Sequence, residues 1–159
     1  MCFETGECVQ ADDLTELVDK MLSADGIVLG SPVYINGVTA QLKTMIDRLA
    51  DAIHCQLLSG KYGCAVTTTG SSGNAAVLGY MNYFLTELGV VTVGEVGVAL
   101  GRNPGGLEAA INEASKLGTT LAELIQTKRA YLAQEKEIAE RRAFFVRNRG
   151  KQGGLGASV

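Results

Sequence analysis

Three features of this 159-residue sequence predict an α/β domain in which a parallel sheet lies between two layers of helices. Helix-like and strand-like segments alternate along the chain. The strand-like segments are short apolar runs, without the polar alternation of a half-exposed sheet, and glycine- or serine-rich loops follow their ends. Parallel strands joined by right-handed helical crossovers satisfy all three.

Each element has its own signal. Asp12 or Asp13 can cap a first helix whose apolar stripe is Leu14, Leu17, Val18, Met21 and Leu22. Ile27, Val28 and Leu29 form a strand expected to be covered on both faces, and Gly30, Ser31 and Pro32 stop it. From Thr39, the residues Leu42, Met45, Ile46 and Leu49 recur at three- and four-residue spacing, on one side of a helix that can lie back on the sheet. Ser59-Gly60-Lys61 is a turn, and Tyr62 to Thr68 is a second strand. Thr69 to Asn74 opens a helix carrying Val77, Leu78, Met81, Phe84, Leu85 and Leu88, with Gly89 placed to end it. A third strand spans about Val90 to Val98, and Leu107 to about Ile125 reads as a last sheet-covering helix despite Gly118. The stretch 127–149 is charge-rich and predicts a helical extension. It is either solvated or packs Tyr131, Leu132, Ile138, Phe144, Phe145 and Val146 on a second subunit. Residues 150–159 are glycine-rich, lack apolar mass and are expected to be a disordered tail.

Composition narrows the function. A 47% hydrophobic content supplies a core for one domain. A net charge of -3 with scattered Lys and Arg gives no basic face for nucleic acid, so none is expected as a partner. No apolar run approaches the ~20 residues that span a bilayer, and no charged-then-apolar leader opens the chain, so the expectation is a cytoplasmic protein without a membrane partner. Cys55 and Cys64 read as inert packing thiols. The single histidine, His54, sits on a polar helix end and reads as solvent-facing.

In open α/β sheets ligands bind beyond the carboxyl ends of the strands, so the loops after the strands are the candidate site. The first runs from Ser31 to Val38. The second, Thr67 to Asn74, has small residues that let a planar ligand approach the backbone. Its Gly-Ser-Ser-Gly is neither a nucleophile elbow nor a Walker-type phosphate loop. Arg102 and Asn103 in the third loop are either a surface turn or a contact for a nucleotide phosphate.

Ser31-Pro32-Val33-Tyr34, followed by Ala40-Gln41-Leu42-Lys43 and Ile46-Asp47-Arg48, resembles the flavin loop and following helix of NADPH-dependent FMN reductases, in particular their iron-sulfur flavoprotein branch. The resemblance implies a flavodoxin-like three-layer fold, with three core strands matching the last three of a 2-1-3-4-5 sheet and the first strand and phosphate loop missing. Residues 1–126 would be this partial domain. The resemblance further implies FMN against Ser31, Pro32, Val33 and Tyr34 on one side and Thr68, Thr69, Gly70, Ser71, Ser72 and Gly73 on the other. NAD(P)H would be the electron donor, a quinone, flavin or iron-sulfur centre the acceptor, and a homo-oligomer (dimer or tetramer) the assembly. Cys2 and Cys8 resemble the end of a cysteine cluster that would hold an iron-sulfur centre only with two further cysteines upstream, because a cubane cluster needs four thiolates. The activity implied is FMN-dependent oxidoreduction. An electron-transfer module without substrate turnover, and a fragment that binds no flavin, remain the alternatives.

Overall fold

The computed structural model describes residues 10 and 12–152, with side chains as far as Arg147. Cys2, Cys8 and residues 153–159 lie outside the described residues. In chain order the elements are α1 (Leu14–Ser23), β1 (Gly26–Pro32), α2 (Ala40–Arg48), α3 (Ala50–Cys55), β2 (Tyr62–Thr69), α4 (Asn74–Glu87), β3 (Val91–Ala99), α5 (Gly106–Thr127) and α6 (Leu132–Gln152). The sheet is parallel, in the order β1-β2-β3. Two apolar clusters form on its faces. Leu14, Met21, Ile27, Leu29, Ile46, Leu49, Ala65, Met81 and Leu85 join α1 to α4 on one side, while Tyr62, Cys64, Val91, Leu121, Leu124 and Ile138 join α5 and α6 on the other.

Local chemistry sets the ends of these elements. The Asp12 carboxylate, one residue before the Asp13 N-cap, accepts the Leu14 N–H at 3.1 Å and also pairs with Arg48, so the start of α1 is tied to α2. At the other end of the first layer, Gly89 takes φ +89° after α4. Its N–H donates to the Thr86 carbonyl while the Val90 N–H donates to the Leu85 carbonyl, both at 3.0 Å, the paired bonds of a Schellman stop. β3 carries a bulge opposite Cys64, where Gly94 takes φ +153°.

The structure adds to or departs from the sequence reading in several places. Leu49 (φ -98°, ψ 20°) breaks the helix that begins after Thr39 into α2 and α3. β1 is covered on one face only: Ile27, Leu29 and Ser31 are buried, whereas Val28 is 54% exposed, and β1 pairs with no strand but β2 among the described residues. The charged stretch forms α6, which is exposed over most of its length, Leu132, Phe144 and Val146 included, as a solvated extension would be, but which also docks on its own domain. The Gln134 carboxamide accepts the Thr92 N–H and donates to the Thr92 carbonyl, both at 2.9 Å, and thereby imitates a neighbouring strand. Arg141 pairs with Glu87 and stands over the Tyr83 ring at 5.4 Å. The ring of His54, half-buried, also meets Phe145 edge-on at 5.0 Å. Finally, Cys55 is exposed while Cys64 is buried, and α6 runs through Gly150, Lys151 and Gln152, three residues of the expected tail.

Candidate functional site

Three loops meet at the carboxyl edge of the sheet. Pro32 and Thr68 are register partners, and the next N–H, that of Val33, donates to the Thr68 carbonyl at 2.8 Å. The Leu100 N–H donates to the Thr69 carbonyl at 2.9 Å, which ties the third loop to the second. Gly101 presses on Gly70 so closely that an added Cβ would lie 2.1 Å from the Gly70 oxygen. The parallel register thus places all three loops side by side, although about 30 residues separate each from the next in sequence.

The base of the first loop is built by hydroxyls. Ser31 is buried, its hydroxyl donating to the Pro32 carbonyl at 2.8 Å and accepting the Thr39 N–H at 3.0 Å. Thr67 donates to the Ser31 carbonyl at 2.6 Å, and the Thr39 hydroxyl accepts the Leu42 N–H at 3.2 Å to cap α2. Ser31 therefore holds the loop to the helix that follows. Thr39 and Thr67 belong to the same staple; the signal for Thr39 is a threonine three residues before the apolar stripe of α2.

The tip of that loop is a two-residue turn. Tyr34 and Gly37 exchange both backbone hydrogen bonds at 3.0 Å, and the intervening Ile35 and Asn36 take φ +49° and +58°. Asn36 is common in this left-handed region, but a β-branched residue there is an outlier, and the conformation costs an L-residue roughly 1–2 kcal/mol. Tyr34 is 64% exposed and Ile35 fully so. Neither Ile35 nor Asn36 is among the site residues expected from the sequence, since Asn-Gly signals a turn without fixing which residues occupy its centre.

The turn leans on the second loop. Gly73, at φ +95°, precedes α4, and a Cβ there would stand 2.9 Å from both Val33 Cγ1 and Asn36 Oδ1. The Thr69 hydroxyl donates to the Ser72 carbonyl at 2.8 Å, leaving Ser71 and Ser72 exposed above it, with Thr68 exposed at the strand end. No side chain caps the first turn of α4. In the third loop, Arg102 and Asn103 both donate their N–H groups to the Ala99 carbonyl, forming a turn with both residues exposed.

These residues fit the ring of a flavin. Gly70 has no atom within 4 Å of where a Cβ would stand, so that side of it is open to a planar ligand even though its carbonyl lies against Gly101, while the corresponding sides of Gly73 and Gly101 are filled by protein. A cavity of about 360 Å³ adjoins the loops on the α5 side, lined by Gly30, Pro32, Val66, Thr68, Val98 and Ile111 among others. A phosphate dianion finds less. Arg102 is the single cation within residues 31–39, 69–74 and 100–105. Among the described residues no three His, Cys, Asp or Glu side chains gather as a metal site.

Relatives agree with this architecture. A solved flavone reductase superposes with a TM-score of 0.63 at 20% identity, over 77% of this chain and 50% of that one. A flavodoxin from the domain Archaea superposes with a TM-score of 0.53 at 19% identity, over 69% and 71%. The fold is therefore flavodoxin-like. In sequence, the chain is 41% identical over 129 residues to an iron-sulfur flavoprotein of Archaeoglobus fulgidus, covering 80% of this chain but 58% of that relative's length. Residues 1–105 match the family model of NADPH-dependent FMN reductases. A match over most of the chain, together with that identity, means that the chain belongs to the NADPH-dependent FMN reductase family, in its iron-sulfur flavoprotein branch.

Proposed function

We propose that this chain carries the flavin-ring site of an FMN-dependent oxidoreductase that takes electrons from NAD(P)H. The observation that carries the reading is the convergence of the 33–36 turn on Gly73, beside a Gly70 whose Cβ side is left open. Pro32, Val33 and Tyr34 would line one side of the ring. Thr68, Thr69, Gly70, Ser71, Ser72 and Gly73 would line the other, with backbone N–H groups of that loop and of the uncapped α4 turn as donors to the ring's carbonyl oxygens. Ser31 supports them by fixing the loop to Thr39.

Bound there, FMN would supply hydride acceptance and electron transfer to a quinone, a flavin or an iron-sulfur centre. The chain's part is to hold the ring, orient it and keep water from one face. This division of labour fits a site without an acid-base pair. A homo-oligomer, and an iron-sulfur centre on Cys2 and Cys8 completed by further cysteines, belong to the same reading; the relative's name supports the second.

Titration of the full chain with FMN tests it. Quenching of flavin fluorescence and a rise in thermal midpoint with FMN concentration are expected, because a ligand at a hundred times its Kd stabilises by about 2.7 kcal/mol. Oxidation of NADPH or NADH by the loaded chain, with menadione present, would then separate an enzyme from a carrier. No quenching and no shift at millimolar FMN would overturn the reading.

A further inference from the structure

We propose that Ile35 is a specificity-determining contact for an uncharged planar reactant, an electron acceptor of the quinone class, and that the left-handed turn exists to present it. The inference rests on the flavin reading above and adds the second reactant to the same site. Ile35 combines two unfavourable features: a β-branched residue at φ +49°, and an apolar side chain 101% exposed. Glycine or asparagine would adopt this backbone readily and leave no apolar surface in water.

The tip is also held firmly. The Tyr34–Gly37 exchange closes it from below, and Val33 and Asn36 wedge it against Gly73. The side chain therefore stands at the rim of the carboxyl edge, one residue along from the exposed Tyr34, as an apolar projection. A flat ring laid over Tyr34 and Ile35 would cover this surface and give Ile35 the packing it does not find within the chain. The rim also selects by charge. No residue from Ser31 to Thr39 is ionisable as acid or base except the Tyr34 phenol, so an anionic nucleotide gains no ion pair from this loop.

Ile35→Gly and Ile35→Asn test the proposal, with Ile35→Leu as the size-matched control. Each full chain is saturated with FMN and titrated calorimetrically with 2,3-dimethyl-1,4-naphthoquinone, whose ring has no free position for addition of the exposed Cys55 thiol. Flavin and quinone are both oxidised, so no electrons move and the titration reads binding alone. Thermal midpoints, FMN affinity and oligomeric state are recorded alongside. In the Gly and Asn variants, naphthoquinone binding is expected to weaken by about fivefold or more, as loss of a partly covered aliphatic side chain requires. Their midpoints should equal or exceed that of the parent because the turn is relaxed, and Ile35→Leu should bind the quinone within about twofold of the parent. Unchanged naphthoquinone affinity with FMN bound would overturn this inference alone. Failure of the parent chain to take up FMN would overturn the flavin reading and this inference together. A change of oligomeric state with quinone affinity unchanged would assign the tip to a second copy of the chain and likewise overturn it.

Discussion

Gly101 and Gly70 show how finely single residues control the candidate site. Because a methyl group at Gly101 would meet the Gly70 carbonyl oxygen, a backbone atom, the two loops must part to accept it. Gly101→Ala is expected to destabilise the chain by ~1–3 kcal/mol in urea unfolding and to weaken FMN uptake, whereas Gly70→Ala, with open space around it, should leave stability nearly intact while obstructing the ring. Cys64 gives a pH signature. Burial pushes its thiol up, so the folded chain resists forming the thiolate. The unfolded chain ionises first, near pH ~8.5, and stability therefore falls as pH rises through that value; Cys64→Ala should flatten the fall in thermal midpoint between about pH 8 and 10. The opposite sign applies to Asp12, whose carboxyl is held below its usual range by the hydrogen bond from Arg48. Its contribution is present above that range and is lost as pH drops through it. The glycines of 70–73 are visible in the sequence as a loop. Which of them is open and which is filled is not, because that depends on strand ends that only the register brings together.

At the scale of elements, α6 is the clearest case of tertiary context setting the role of a helix. Its charge density reads as a solvated face or a subunit contact, since Lys136 and Glu140, or Glu137 and Arg141, pair along the helix at four-residue spacing in any setting. In the folded chain α6 keeps most of its surface exposed and, in addition, covers the sheet edge. Gln134 saturates the backbone of Thr92 on the outer strand, Ile138 is buried against Tyr62 and Val91, and Arg142 donates to the Ser59 hydroxyl at 2.6 Å. An outer strand with free N–H and C=O groups is a template for pairing, and the Gln134 amide blunts part of it. Gln134→Ala is expected to cost ~1–2 kcal/mol in urea unfolding, and amide exchange at Thr92 should accelerate. By contrast, the stop at Gly89 was legible in the sequence. A glycine one residue past an apolar stripe specifies a left-handed cap without reference to the rest of the chain.

On the whole-molecule scale the outstanding feature is the asymmetry of the sheet. β3 is covered by α5 and α6, while β1 keeps one open edge among the described residues and leaves Val28 54% exposed. Open apolar edges associate, so light scattering should show the chain heavier than one copy as concentration rises. Val28→Lys should reduce that association with less than ~0.5 kcal/mol change in stability; a chain that stays monomeric throughout would count against the edge as the cause. The sequence by itself determined the α/β class, the alternation of helix and strand along the chain, the loops that carry the candidate site and, through Ser31 to Arg48, the family. These depend on periodicity, caps and short contiguous patterns, which are encoded within a few residues of one another. Only the tertiary structure decided that the three loops touch, that Ser31 faces inward, that Ile35 stands alone at the rim and that α6 folds home. Those outcomes arise from contacts between residues far apart in the chain, where packing and register choose among partners that local sequence leaves equivalent.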